Sequence, residues 1–182
     1  MPATRSVALL RGINVGGNNK IPMADLKALC GDLGWKDVAT YIQSGNVVFS
    51  ASGTPAKQEV ALQAAIQKSF GFTISVLART AADWQSFIET NPFSKAAKTE
   101  AKMLMLALAQ KPFNKTAEAA LSEKATSGEK LQQVGNALWI HFPGGVGKSK
   151  LTPAVLDRLA GSPVTLRNWN TVMAISDLLT TA

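Results

Sequence analysis

The segments QSGNVVF at residues 43–49 and QVGNALW at residues 133–139 resemble each other and lie 90 residues apart. Each contains a Gly-Asn pair, at 45–46 and at 135–136, followed by strand-forming residues. Glycine and asparagine tolerate the positive φ angles that a tight β-hairpin turn requires. Each segment therefore predicts a hairpin turn, and the spacing predicts that the chain contains the same structural unit twice.

Other landmarks keep the same spacing of 90 residues. Pro22 and Pro112 are each predicted to open a helix, because proline fits the first helical turn. Thr80 and Asn170 are predicted to cap the last helix of each half, and Thr80 forms a capping box with Asp83. Four coincidences in the same order favour a repeat over chance.

Hydrophobic periodicity and turn residues predict one order of elements in both halves. The predicted strands of the first half are 5–12, 37–43, 46–50 and 73–78, and its helices are 22–34, 55–70 and 81–90. The predicted strands of the second half are 102–109, 130–134, 137–142 and 163–167, and its helices are 113–124, 152–160 and 171–180. This order is βαββαβ with one more helix, the ferredoxin-like plan. We predict an α+β fold with a first unit at 1–92, a linker at 93–101 and a second unit at 102–182.

Composition narrows the choice of function. The chain of 182 residues has 19 Lys and Arg against 12 Asp and Glu, a net charge of +7 that favours an acidic partner. No apolar run is long enough for a membrane helix, so no membrane partner is expected. The sequence calls for no cofactor, and it leaves the oligomeric state open.

The chain has one cysteine and one histidine. No disulfide can form within it, which predicts a reducing, cytoplasmic location, and no zinc site fits. Cys30 falls on the apolar stripe of a predicted helix and is expected to be a buried core residue. His141 has no evident Ser or Asp partner, so a catalytic triad is unsupported.

The stretch PGGVGKSKL at 143–151 resembles the phosphate-binding loop of nucleotide triphosphatases. That loop needs a glycine five residues before the glycine of its Gly-Lys pair, and here Phe142 occupies the position. The spacing argues against such a loop. Two interpretations remain: a flexible loop that carries lysines, or an anion site formed by glycine amides with Lys148 and Lys150.

The two halves differ in two connections. The first half has GINVGGNNK at 12–20 where the second has QKP at 110–112, and the second has PGGVGKSKL where the first has SASGT at 50–54. Both places are expected at the same end of a ferredoxin-like sheet. Departures from a repeat are where function is often added, although surface loops also tolerate neutral insertions.

Four segments together form a recognisable signature: LLRGINVGG, YIQSGNVVF, GKSKL and RNWNT. With them the chain resembles the bacterial domain-of-unknown-function family 1697, from about residue 5 to about residue 180. The resemblance implies paired ferredoxin-like units and no assigned activity. Lys148 stands where members often carry arginine, which keeps the charge but loses a two-pronged hydrogen-bonding group.

The signature segments contain guanidinium, ammonium, amide and glycine groups that suit an anionic or polar ligand. The candidate ligand-binding residues are Arg11, Asn14, Gly16, Gly17, Asn18, Lys20, Gln43, Ser44, Asn46, Lys148, Ser149, Lys150, Arg167, Asn168 and Asn170. Some have simpler explanations, because Asn46 also suits a turn, Asn170 a helix cap, and Arg167 an ion pair. No two carboxylates fall within these segments, so the usual ligands for glycosidase or two-metal chemistry are missing.

These patterns favour a non-catalytic protein that binds a phosphate-bearing partner, either a nucleic acid or a nucleotide-like small molecule. One alternative is an enzyme for a small anionic substrate in a cleft between the units, with Arg11 and Lys148 as electrostatic stabilisers. Another is a protein-interaction module. We further expect the loops at 11–20 and 148–150 to face one shared cleft.

Overall fold

A computed structural model describes residues 2–181 of the chain, which form two four-stranded antiparallel sheets covered by helices. In each half the strands lie in the order second, third, first, fourth across the sheet, so the predicted α+β fold of tandem ferredoxin-like units is confirmed. Internal contacts divide the chain into a first unit, Met1–Gln85 with Ala174–Ala182, and a second unit, Ser86–Met173. Within the described part of the chain, no helix has the length and apolar composition needed to cross a bilayer.

The elements of the first half follow the predicted order. The strands are β1 (Thr4–Leu10), β2 (Lys36–Tyr41), β3 (Asn46–Ala51) and β4 (Val76–Thr80). The helices are α1 (Met23–Asp32), α2 (Pro55–Phe70) and α3 (Ala81–Glu89). The core packs between the sheet and α1 and α2, and includes Leu10, Ile13, Ile21, Leu26, Cys30, Phe49, Leu62 and Ile66.

The second half repeats this order after an additional short helix, α4 (Ser94–Thr99), within the segment predicted to be a linker. Its strands are β5 (Leu104–Ala109), β6 (Lys130–Val134), β7 (Ala137–His141) and β8 (Val164–Asn168). Its helices are α5 (Ala117–Ser122), α6 (Pro153–Ala160) and α7 (Trp169–Thr180). Its core includes Ala107, Phe113, Leu121, Leu138, Ile140, Phe142, Leu151 and Leu156.

Helices α2 and α6 begin and end in the same way. Each starts with a Thr-Pro pair, and the hydroxyls of Thr54 and Thr152 accept from the amide three residues later, both at 3.4 Å. Each ends at a glycine in the left-handed conformation, Gly71 (φ 78°) and Gly161 (φ 75°). Threonine caps, proline in the first turn and glycine at the end are strong local signals, which explains why both helices were predicted closely.

The predicted capping box of α3 is confirmed. The Asp83 amide donates to Thr80 Oγ1 (3.1 Å), and the Thr80 amide donates to Asp83 Oδ2 (3.1 Å). The predicted cap at Asn170 is wrong, because α7 begins at Trp169 and Asn168 Oδ1 accepts from the Thr171 amide (3.0 Å).

The helix predicted to open at Pro112 begins five residues later, at Ala117. Asn114 Oδ1 accepts hydrogen bonds from the amide and the hydroxyl of Thr116, at 3.1 and 2.9 Å. This side-chain turn competes with helix formation and delays it.

The sheet register places the two variable connections at opposite ends of a unit. Leu9 pairs with Asn46 and Thr4 with Ala51, so the end of β1 lies beside the start of β3. The second half has the same antiparallel pairing, with Leu104 opposite His141. The expectation that both places share one end of the sheet is therefore wrong: the chain leaves β1 at one end and β3 at the other.

Candidate ligand-binding site

The β1–α1 loop, residues 11–22, is anchored by two buried isoleucines, Ile13 and Ile21. Ile13 packs on the hairpin turn between β2 and β3, where Gly45 has a φ of 83°. A Cβ atom at Gly45 would lie 2.7 Å from Ile13 Cδ1 and 2.8 Å from Leu10 Cβ. The glycine is therefore required both by the turn and by the loop that packs on it.

The side chain of Asn14 closes the loop. Its Nδ2 donates to the carbonyl oxygens of Ile21 and Gln43, both at 2.9 Å, and its Oδ1 accepts from the Ile21 amide, also at 2.9 Å. Asn19 adds a bond from Nδ2 to the Gly12 carbonyl (3.1 Å). The Asn14 side chain thus links the two ends of the loop and ties the loop to the hairpin turn.

The tip of the loop is a tight turn from Val15 to Asn18, closed by the Asn18 amide on the Val15 carbonyl (3.1 Å). Gly16 and Gly17 occupy its centre with φ angles of 58° and 79°. Two positive φ angles are characteristic of a type I′ turn, which favours glycine. The paired glycines therefore have a conformational reason to be there.

Beside this loop lies an open cavity of about 580 Å³, within the range of small-molecule sites. Its lining residues are Asn14, Gly17, Lys20, Ile21, Pro22, Met23, Ala24 and Gln43. Four of the predicted site residues are among them: Asn14, Gly17, Lys20 and Gln43. The structure thus gathers residues from the loop, the start of α1 and the hairpin turn.

The start of α1 gives the cavity its electrostatic character. Pro22 precedes the helix and makes no side-chain capping bond to it. The amides of a first helical turn have no partner within the helix, and they carry the positive end of the helix dipole. Met23 and Ala24, in that first turn, line the cavity together with Lys20, whose side chain is exposed. An ammonium group next to helical amides suits an anion.

The other candidates of the first half lie in the loop or the hairpin turn. Asn46 is fully buried, and its Nδ2 donates to the Tyr41 carbonyl (3.0 Å) and to Ser44 Oγ (3.2 Å). These bonds support its simpler interpretation as a turn residue. Arg11 begins the loop, where its amide donates to the Ser75 carbonyl (3.0 Å). Gly16 and Asn18 form the turn at the tip of the loop.

In the second half, the β7–α6 loop, residues 142–152, is fastened by Ser149. Ser149 Oγ donates to Glu129 Oε1 and accepts from the Leu151 amide (3.1 Å). Partial burial alone would raise the pKa of the Glu129 carboxyl, but the hydrogen bonds it accepts from Ser149 and the Ser127 amide lower it. Lys148 ends a 3-10 turn (Val146–Lys148), and both it and Lys150 are exposed.

This loop is not built like a phosphate-binding loop, in which the lysine and serine stand at the start of a helix. Here Ser149 is extended (φ −83°, ψ 148°), and α6 begins only at Pro153. The spacing argument from the sequence therefore agrees with the observed geometry.

The remaining candidates lie on β8 and α7. Arg167 is half-buried, and its Nη1 donates to Thr165 Oγ1 (2.8 Å) and to the Leu166 carbonyl (2.9 Å). Burial lowers the pKa of Arg167 to about 10. Asn168 caps α7, whereas Asn170 is exposed and lines a separate cavity of about 430 Å³.

Two further groups bear on chemistry. Cys30 is buried as predicted, and burial raises the pKa of its thiol to about 12, which disfavours the reactive thiolate. His141 has a neighbouring carboxylate that the sequence did not reveal, because Glu100 Oε2 lies 2.9 Å from its Nε2, although the two atoms make no hydrogen bond. The two residues are far apart in sequence and share no motif.

The chain is similar to known proteins in sequence and in fold. A family model described as a protein of unknown function (DUF1697) matches residues 3–139. The chain is also similar in structure to a conserved bacterial protein from Streptococcus pneumoniae, with 25% sequence identity and a TM-score of 0.75. That similarity covers 98% of this chain and 99% of the other, so it extends over both halves. The comparison with curated proteins gives no match.

Proposed function

The chain belongs to the DUF1697 family, and we propose that it is a non-catalytic protein that binds a phosphate-bearing ligand at the β1–α1 loop. The observation that supports this most directly is the cavity of about 580 Å³, where Lys20 lies next to the uncapped start of α1. Helical amides and a lysine ammonium are both donors for phosphate oxygens. The net charge of +7 adds a general attraction for anions.

The apolar part of the cavity favours a ligand with more than a phosphate group. Ile21, Pro22 and Met23 form an apolar wall beside the donors. A planar base or another apolar body can cover that wall while its phosphate faces Lys20. We therefore favour a nucleotide-like small molecule over a long nucleic acid, whose binding relies on many phosphate contacts.

The composition of the lining supports binding without catalysis. Of the eight residues that line the cavity, Lys20 alone has a titratable side chain. General acid–base chemistry needs a positioned group that exchanges protons near the working pH, and usually a second one to orient it. Sharing of one ligand by the loops at 11–20 and 148–150 stays a prediction, as does the cytoplasmic location.

The direct test is a titration at low salt with AMP, ATP and short single-stranded and double-stranded oligonucleotides. Thermal shift and calorimetry measure the binding. The wild-type protein should bind a nucleotide, and binding should raise its melting temperature. Lys20→Gln should weaken binding about tenfold or more, because a hydrogen bond to a charged group contributes about 1.5–3 kcal/mol.

Lys27→Gln is the matched control, because Lys27 is an exposed lysine on α1, near Lys20 in sequence, and does not line the cavity. It should bind within about twofold of the wild type, since a distant surface charge contributes little. Equal losses of affinity in the Lys20 and Lys27 variants would indicate general charge attraction and contradict a specific site at Lys20. Absence of binding to every nucleotide and oligonucleotide would contradict the proposed function.

A further inference from the structure

The second unit has a cavity of its own, of about 320 Å³, which contains four charged or titratable side chains. Its lining residues are Pro92, Phe93, Ser94, Lys95, Ala96, Glu100, Lys130 and His141. All of them belong to the unit Ser86–Met173. None falls in the signature segments, so this cavity is independent of the site on the β1–α1 loop.

The sheet register and α4 bring the charged groups together. Lys130 is the first residue of β6 and His141 the last of β7, and the two are directly opposite each other. Opposed residues on neighbouring antiparallel strands point to the same face, with Cβ atoms about 5 Å apart. Helix α4 supplies Lys95, and Glu100 follows the end of that helix.

Glu100 lies close to the imidazole of His141. Its Oε2 lies 2.9 Å from His141 Nε2, and the histidine side chain is only 12% exposed, against 46% for the glutamate. The nearby carboxylate restricts the orientations open to the ring, although the contact lacks hydrogen-bond geometry. Among residues 2–181, the buried Nε2 of His141 makes no hydrogen bond, so this ring nitrogen is left unsatisfied.

The balance of charge at this cavity favours an anion. Lys95 and Lys130 contribute two positive charges, against one negative charge from Glu100, whose carboxylate lies 2.9 Å from the His141 ring. Two lysines that line one cavity attract an anion into it. Lysine ammonium groups are common phosphate ligands, and Pro92 and Phe93 offer an apolar surface next to them.

From this arrangement we propose that the second unit binds a small phosphate monoester, with Lys95 and Lys130 as its charged ligands. His141 lies beside the phosphate, and Glu100 is a positioning residue whose carboxylate contacts the ring. The volume of about 320 Å³ fits a phosphate on a compact body such as one aromatic ring, and is near the lower limit of ligand cavities.

The test uses the fact that His141 is the only histidine in the chain. Its ring protons and nitrogens therefore give one isolated set of NMR signals. Titration of the full chain with phenyl phosphate, and separately with inorganic phosphate, should shift these signals in a saturable manner. Sodium chloride at matched ionic strength should not. Absence of a saturable shift with both phosphates would overturn the proposal.

Variants then identify the ligands. Lys130→Gln and Lys95→Gln should each weaken phenyl phosphate binding at least fivefold, whereas Lys124→Gln, an exposed lysine outside this cavity, should not. Glu100→Gln should change the ring-nitrogen shifts of His141 before any ligand is added, as expected for a positioning residue. Binding at wild-type strength in both Lys95 and Lys130 variants would overturn the assignment.

Lys20→Gln separates the two proposals. Lys20 lies in the first unit, so this variant should leave the response of His141 to phenyl phosphate unchanged. The second-unit site can thus fail while nucleotide binding at the β1–α1 loop persists, and the converse also holds. Loss of the His141 response in Lys20→Gln would contradict the independence of the two sites.

Discussion

Twelve residues, 11–22, connect β1 to α1, whereas seven, 110–116, make the matching connection in the second half. After the third strand of each half, the longer connection is in the second half. Three residues, 52–54, connect β3 to α2, and eleven, 142–152, connect β7 to α6. Each half has therefore lengthened a different connection on the same sheet plan.

The lengthened connections are held by polar side chains in addition to the apolar residues that they bury in the core. Asn14 closes the first with three hydrogen bonds, and Ser149 fastens the second through Glu129. A loop closed in this way keeps its backbone donors and its lysines near the surface. The comparison teaches that the shared strands and helices specify the fold, while the longer connections supply groups that can bind a ligand.

The largest effect is expected at the two hairpin glycines, which occupy matching positions. Gly45→Ala should destabilise the protein by about 3 kcal/mol, because alanine is strained at positive φ and its Cβ would overlap Ile13 and Leu10. Gly135→Ala should cost only about 1 kcal/mol, since Gly135 has a φ of 56° and nothing within 4 Å of the added Cβ. Urea unfolding measures both.

The quantity that tests this prediction is the difference between the two variants in their loss of unfolding free energy. If it is near zero, the packing of the β1–α1 loop on the hairpin contributes nothing measurable, and the two halves are equivalent at this position. A large difference with an unchanged slope against urea would locate the added cost in the native state.

A smaller difference in stability is expected between alanine variants of two loop asparagines. Asn14→Ala should cost about 2–3 kcal/mol, because it removes three hydrogen bonds and leaves their main-chain partners unsatisfied. Asn114→Ala, in the shorter connection, should cost about 1 kcal/mol, since its bonds to Thr116 and Leu159 are exposed. Thermal unfolding gives the stabilities, and amide exchange across residues 11–22 should speed up only in the first variant.

Much of the fold could be predicted because its signals are local. The Gly-Asn turns, the Thr-Pro starts and the glycine ends of α2 and α6 act within a few residues and recur in both halves. The prediction failed where a local competitor intervened. Asn114 delays α5, and α7 starts two residues before its predicted register, so that Asn168 caps it in place of Asn170.

The candidate site was predictable only in part, for a different reason. Lys20, Gly17, Asn14 and Gln43 could be chosen because polar and glycine-rich segments are visible in the sequence. Met23 and Ala24 could not, because there the helical main chain provides the donors and the side chains carry no signal. The contact between His141 and Glu100 depends on where α4 ends relative to β7, which is a tertiary property.

The smallest effect concerns two glutamates with opposite pKa shifts, one in each half. Burial raises the pKa of Glu59, despite bonds from the Ala78 amide (2.8 Å) and Arg79 (3.4 Å). A raised folded pKa means that the native state binds more protons, so this group reduces stability as pH rises above its unfolded value, about 4.3. The pKa of Glu129 is lowered, so its contribution is present above that value and is lost as pH falls below it.

Ser149→Ala tests the second of these, because it removes the hydroxyl that donates to Glu129. The Glu129 pKa should rise in this variant, and the loss of stability below about pH 4.3 should become shallower. Carboxyl ¹³C NMR across pH 2–7 measures the pKa, with Glu59 as the internal reference, since Ser149 makes no contact with it among the described bonds. The Glu59 pKa should stay the same. If the Glu129 pKa does not move, the hydroxyl is not what stabilises the carboxylate, and the β7–α6 loop must be held by other contacts.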